Sequence, residues 1–208
     1  MTTISKKEVH KFLDTHPDIP FSAAKFEYSL YLEPEAVEYA NAISEKTLGE
    51  SEEDLRSKRM IEQAETTEEL LKLMRKPLSG GNRSRLRGKL LEYETVMMPC
   101  IKEKTMKNGQ DIFIENTLYF FLHCEENCCD WLMKEYSNIR NEYLRSMLCL
   151  VIGFRGDVEM IPFLMKETER LERTYPQETY AQGPILAIQE LAVRFLNCSL
   201  CGVLRSNE

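Results

Sequence analysis

The chain is short of the residues that punctuate a turn-rich fold. Nine glycines and eight prolines in 208 residues fall below the roughly 12% that the pair usually makes up. An all-β architecture needs more turn signals than that. Long apolar runs are also missing. The longest, Met147 to Phe154, contains Gly153 and is far below the ~18 residues of a membrane span. No apolar core of signal-peptide length is visible near Met1, so the expectation is a cytoplasmic chain with no membrane partner. Basic charge does not dominate: 27 Lys and Arg stand against 34 Asp and Glu, a net charge of −7, which argues against bulk nucleic-acid or polybasic membrane binding. Histidine is scarce, with only His10, His16 and His123. No His-Glu-x-x-His, Gly-x-Ser-x-Gly or phosphate-binding glycine loop occurs. A catalytic role is therefore not expected.

What remains reads as helix. Hydrophobic residues make up 43% of the chain, enough for a packed core. Ser5-Lys6-Lys7-Glu8 and Thr66-Thr67-Glu68-Glu69 have the spacing of capping boxes, and Ser51 is placed to cap a third helix. Pro17 and Pro20 stop the first helix near His16. Phe26 to Leu32 alternates apolar and polar residues, but no partner strand is apparent, so helix is preferred. Pro34 suits the first turn of a helix running to about Leu48. Arg85 to Lys107 reads as one long helix kinked at Pro99. Ile112 to His123 and Asn127 to Tyr136 follow as further helices. Tyr143, Leu144, Met147, Leu148, Val151 and Ile152 make one stripe, ended by Gly153 and Gly156. Asp157 is a plausible N-cap for the stripe Val158, Ile161, Leu164, Met165, Thr168 and Leu171. Gly183-Pro184 opens a last helix bearing Ile185, Ile188, Leu191, Ala192, Phe195 and Leu196.

Charge divides the chain. Twelve acids and four bases lie between Glu33 and Glu69, whereas Lys72 to Lys89 holds seven bases and no acid. Pro77-Leu78-Ser79-Gly80-Gly81-Asn82 is the clearest loop. It sets the expected division into an N-terminal helical segment, 1–78, and a repeat region, 79–208.

The later helices pair into units starting near Ser84, Glu126 and Asp157, at intervals typical of solenoid repeats. The segment from Ile139-Arg140 through Gly156-Asp157 to Ile161-Pro162-Phe163-Leu164 resembles the HEAT-like repeat family. There a helix opening on an apolar-Arg pair runs to a Gly-Asp turn, and the next carries an apolar-Pro-x-Leu element. The resemblance covers roughly residues 84–197. It implies an all-α fold, an α-solenoid of about three helical pairs behind the N-terminal segment. It also implies a surface that receives a protein or peptide partner, although fold does not fix function.

Candidate sites follow from that reading. Aligning the short helices places Tyr119, Arg145 and Gln189 in one row and His123, Cys149 and Val193 in the next. Tyr119, His123, Arg145 and Gln189 are the expected partner-binding residues, on a solenoid's concave face. The alternative is nucleic-acid binding through Arg75, Lys76, Arg83, Arg85, Arg87 and Lys89. No aromatic interleaves with these bases, which weakens single-strand stacking. Seven cysteines include one close pair, Cys198 and Cys201, near enough for a shared metal. Zinc usually takes two such pairs, so buried thiols are expected, with no metal and no cofactor.

Overall fold

The computed structural model describes residues 4–16, 51–107 and 109–196. Its regular secondary structure is helical, with no β-strand among the described residues. The all-α expectation therefore holds there. The expectations for Phe26 to Leu32, for the Pro34–Leu48 helix and for Cys198 and Cys201 lie outside the described residues. No described helix is long and apolar enough to cross a membrane.

Ten α-helices occur among the described residues: α1 Lys6–Asp14, α2 Glu52–Gln63, α3 Thr67–Leu73, α4 Gly80–Glu92, α5 Glu94–Thr105, α6 Asp111–His123, α7 Cys129–Glu135, α8 Glu142–Arg155, α9 Ile161–Thr174 and α10 Gln182–Leu196. Short 3-10 turns, Tyr136–Asn138 and Val158–Met160, follow α7 and precede α9. All three capping signals are formed. Ser5, Ser51 and Thr66 each accept from the amide three residues on, and Glu8, Asp54 and Glu69 reach back to the cap amide. Hydrogen bonds from the caps hold these three carboxyls below the usual carboxylate range.

Two compact units result. One comprises Pro20–Glu126, the other Met1–Ile19 with Asn127–Glu208. The Pro77–Asn82 stretch lies inside the first of these, and its Gly80, Gly81 and Asn82 are already helical, in the first turn of α4.

In the Pro20–Glu126 unit, α2 packs on α4 and α4 on α6, while α3 packs on α5. Side chains fix the direction. At the helix starts, the Asn82 amide donates to the Asp54 carbonyl at 2.9 Å; at the ends, Lys89 Nζ donates to the Ile61 and Glu62 carbonyls, both at 2.7 Å. Helices α2 and α4 therefore run parallel. Arg83 pairs with Glu115 at 3.2 Å, and Arg87 lies over the Tyr119 ring at 4.5 Å, so α6 runs parallel to α4. The core is Leu70, Met74, Leu86, Leu90, Met97, Ile101, Phe113, Leu118, Phe120 and Phe121. The single kinked helix expected over Arg85 to Lys107 is instead two helices broken at Tyr93, whose backbone (φ −98°, ψ 20°) leaves the helical region. Pro99 sits within α5. Both Pro99 and Thr95, whose carbonyl the proline ring cannot serve, are exposed, so water can hydrate that carbonyl.

In the other unit, α8 packs against α10, α9 against α10, α7 against α8, and α1 against α10. Again the alternate helices run parallel: Ser146 meets Gly183, and Gly153 meets Ala187. Arg194 donates to the Gly153 carbonyl at 3.0 Å, the Gly156 carbonyl at 2.7 Å and the Phe154 carbonyl, closing the end of α8. Lys89 does the same for α2. Both are cations at the orphan carbonyls of a parallel neighbour.

Candidate functional site

The residues expected to bind a partner do not form an exposed row. Tyr119 belongs to the Pro20–Glu126 unit and is buried; its ring stacks on His123 at 4.0 Å. His123 is half-buried, with Nδ1 2.8 Å from the Tyr119 carbonyl. Arg145 and Gln189 belong to the other unit. The Arg145 side chain is 13% exposed, and Gln189 is half-buried with Oε1 enclosed and unpartnered. Of the second row, Cys149 is fully buried and Val193 is exposed. The correction has a physical reason: α6 and α8 are buried over most of their circumference, so lying off the apolar stripe does not mean facing water.

Arg145 is held in a closed polar cluster. Two Glu-x-x-Arg pairs, Glu142 with Arg145 and Glu167 with Arg170, sit on α8 and α9 and cross-connect. Arg145 contacts Glu142 at 3.0 Å and Glu167 at 3.5 Å; Arg170 contacts Glu142 at 2.6 Å and Glu167 at 2.7 Å. The Tyr136 hydroxyl donates to Glu167 at 3.0 Å and lies 3.2 Å from Cys149 Sγ, while the Arg145 guanidinium covers the Tyr136 ring at 4.7 Å. Burial pushes the Cys149 thiol up to about 12 and the Tyr136 hydroxyl upward as well. Neither is poised as a nucleophile or a base. Two acids balance two bases, and the cluster joins α8, α9 and the turn after α7. In sequence each Glu-x-x-Arg pair has the spacing of an ordinary solvated i,i+3 ion pair, and only the contacts between α8 and α9 set it apart.

The basic stretch is largely occupied within its own unit. Arg75 donates to the Leu71 carbonyl at 2.6 Å and lies over Phe113 at 4.6 Å. Arg83 pairs with Glu115. Arg85 donates to Asn82 at 3.2 Å, and buried Arg87 donates to Asn116 at 3.3 Å. Lys89 caps α2. Lys76 is exposed and reaches Met60 Sδ at 3.7 Å. Among the described residues no group of three potential metal ligands converges. Cys124, Cys128, Cys129 and Cys149 are buried thiols outside any disulfide.

An open groove of about 530 Å³ lies in the Asn127–Glu208 unit, where α1 ends, α9 ends and α10 begins. Its lining includes His16, Glu172, Tyr175, Glu178 and Gln182. The His16 ring lies tilted against Phe12, with ring centroids 4.5 Å apart. Its Nδ1 is 2.8 Å from the Phe12 carbonyl and its Nε2 3.1 Å from Glu172. The Thr15 hydroxyl also lies 3.1 Å from Nδ1. Glu172 and Glu178 are exposed, and Tyr175 meets Tyr180 edge-on at 5.5 Å. Carboxylates beside aromatic rings suit a cationic side chain. No protein-family model, curated protein or solved structure matches the chain.

Proposed function

We propose that the chain is a non-enzymatic helical-repeat module of the HEAT-like kind that binds a protein or peptide. The supporting observation is the parallel packing of alternate helices, α2 on α4 on α6 in one unit and α8 on α10 in the other. Successive helical hairpins that stack side by side bring every second helix into parallel contact. The segment that resembles the HEAT-like repeat, Ile139 to Leu164, covers α8 and the first turn of α9. Within the Asn127–Glu208 unit the surface offered to a partner is the groove lined by His16, Glu172, Tyr175 and Glu178, which favours a basic segment. Nucleic acid is not carried as a second reading, because the bases that motivated it have partners inside their unit.

The test is affinity capture from the native cell with and without nuclease, using the wild-type chain and a Glu172→Lys/Glu178→Lys variant. A specific protein retained after nuclease and lost with the charge reversal supports the reading. Capture that vanishes with nuclease refutes it.

A further inference from the structure

We infer that the groove of the Asn127–Glu208 unit is a socket for an arginine side chain of the protein partner, whose guanidinium closes the C-terminal end of α9 as the chain's own cations close other helix ends. This rests on the partner-binding reading above and names the residue that the groove selects.

The chain itself shows how its helices are finished. Lys89 donates to the Ile61 and Glu62 carbonyls at the end of α2, Arg75 to the Leu71 carbonyl in α3, and Arg194 to the Gly153 and Phe154 carbonyls in α8. Each sets a cation on carbonyls at the negative end of a helix dipole. At α9 this device is missing. The backbone leaves the helix at Tyr175 (φ −132°, ψ 60°), and Pro176, four residues after Glu172, has no N–H to give. No backbone N–H of the described residues reaches the Glu172, Arg173 or Thr174 carbonyls. Arg173 stands in that last turn, but it is exposed and makes no hydrogen bond or ion pair.

The groove beside that end is complementary to a cation. Glu172 and Glu178 line it, and no Lys or Arg does. Glu172 meets His16 Nε2 at 3.1 Å. The Glu178 carboxylate is exposed and has no partner among the described residues. An anion is not served in the same way, although α10 begins here. The Gln182 and Ile185 amides already donate to the Thr179 and Ala181 carbonyls, Pro184 has no N–H, and Gly183 is buried against Ser146. Buried Ile185, with half-buried Ala181 and Tyr175, gives the groove an apolar part that suits the methylenes of a long cationic side chain. Arginine meets this set better than lysine. Its planar fork donates to a carboxylate and a carbonyl at once, and its flat face lies on an aromatic ring. The chain already uses arginine so, with Arg87 over Tyr119 and Arg145 over Tyr136. The partner segment is therefore an arginine beside an apolar residue that covers Ile185.

The experiment uses the full chain, isotope-labelled for NMR, and the acetylated, amidated tripeptide Leu-Arg-Leu at millimolar concentration. Comparison peptides replace the arginine by citrulline, its uncharged isostere, by lysine or by glutamate. The expected result is saturable shifts confined to residues 15–16 and 172–185. The citrulline peptide should bind at least about tenfold more weakly, the lysine peptide more weakly than the arginine one, and the glutamate peptide not at all. Glu178→Gln alters a carboxylate that has no partner to lose. It should bind the arginine peptide about three- to fivefold more weakly, with an unchanged melting curve. No saturable binding, equal affinity for the citrulline peptide, or shifts centred outside the groove overturns the inference. Equal affinity for the lysine peptide overturns the choice of arginine. A Glu178→Gln variant that binds as the wild type removes Glu178 from the socket and overturns it too. Sedimentation tests the remaining occupant: a wild-type dimer that Glu178→Gln abolishes assigns the groove to a second copy, against a separate partner. None of these outcomes depends on the lysate capture, so failure here and failure of the partner-binding reading are distinguishable.

Discussion

Gly153 of α8 lies against Ala187 of α10 so closely that a Cβ built on the glycine falls 2.6 Å from the Ala187 Cα. A second close approach lies earlier along the same pair of helices. A Cβ on Gly183 falls 2.1 Å from the Ser146 carbonyl oxygen, and Ser146 Oγ donates to the Tyr180 carbonyl at 2.5 Å. Small residues at these two crossings let the helix backbones approach with little side chain between them. Gly153 is thus a packing residue inside α8, not the helix stop that its place in the sequence suggests.

Gly153→Ala and Gly183→Ala should each destabilise by about 2–3 kcal/mol, near the upper end for overpacking, because the atoms in the way are backbone. Gly88, on the exposed side of α4, has nothing within 4 Å of its built Cβ. Gly88→Ala should instead stabilise by about 0.5–1 kcal/mol through helix propensity. Urea denaturation of the three variants checks the contrast in sign. If all three shift alike, the crossings are looser than described.

Arg145→Ala should cost about 3 kcal/mol. It removes a largely buried cation and leaves Glu167, itself 5% exposed, without that partner. Leu148→Ala, at a fully buried position on the same helix, should cost about 2–5 kcal/mol. Comparable losses in chemical denaturation confirm that α8 is buried on both its apolar and its polar side. A loss below about 0.5 kcal/mol for Arg145→Ala would return that residue to the surface.

Local signals were legible in the sequence, and signals between helices were not. The Ser5 and Thr66 capping boxes depend on neighbours within a few residues, and each formed where its spacing placed it; Asp157 caps the 3-10 turn Val158–Met160 and not α9, and of the α8 stripe Leu144, Leu148, Val151 and Ile152 are buried while Tyr143 is exposed. Arg145, Arg87 and Lys89 could not be read the same way. Each is a charge on a helix face, indistinguishable in sequence from a solvated one, until Glu167, Asn116 and the end of α2 arrive from 22 to 29 residues away. Phe195 errs in the opposite direction: it continues the stripe of α10 yet is 46% exposed. The break falls at Tyr93, and Pro99 is carried within α5 on its exposed side.

Lys89→Met should lower stability by about 1 kcal/mol, since two carbonyls at the end of α2 lose a charged donor. Elution from heparin should stay at the wild-type salt concentration. A residue that contacts phosphate behaves in the reverse way, because each lost phosphate contact reduces the salt dependence of binding. A salt-gradient elution beside a urea titration separates the two. A large shift in elution with unchanged stability would revive the nucleic-acid alternative.

The buried thiols make the fold sensitive to alkali. Burial pushes Cys149 up from 9.0 to about 12 and Cys129 up to about 11. In the unfolded chain both lose their protons from about pH 9 upward, whereas in the folded chain both keep them. The unfolded state then binds fewer protons than the native state, so stability falls as pH rises. The loss sets in near pH 9 and continues to about pH 11 for Cys129 and about pH 12 for Cys149. By pH 10 each thiol should account for roughly 1 kcal/mol of lost stability. Lysines also titrate in this range, so the informative quantity is a difference between chains. Cys149→Ala should be less stable than the wild type at pH 7, because a buried atom is lost, yet should lose stability less steeply between pH 8 and 10. Denaturant midpoints at several pH values give both slopes. Alkylation at pH 9, with the labelled peptides identified by mass spectrometry, supplies an independent reading: half-buried Cys100 should react before Cys129 and Cys149. Parallel slopes for wild type and variant, or early labelling of Cys149, would mean that the thiol reaches water and that the cluster around Tyr136 is open.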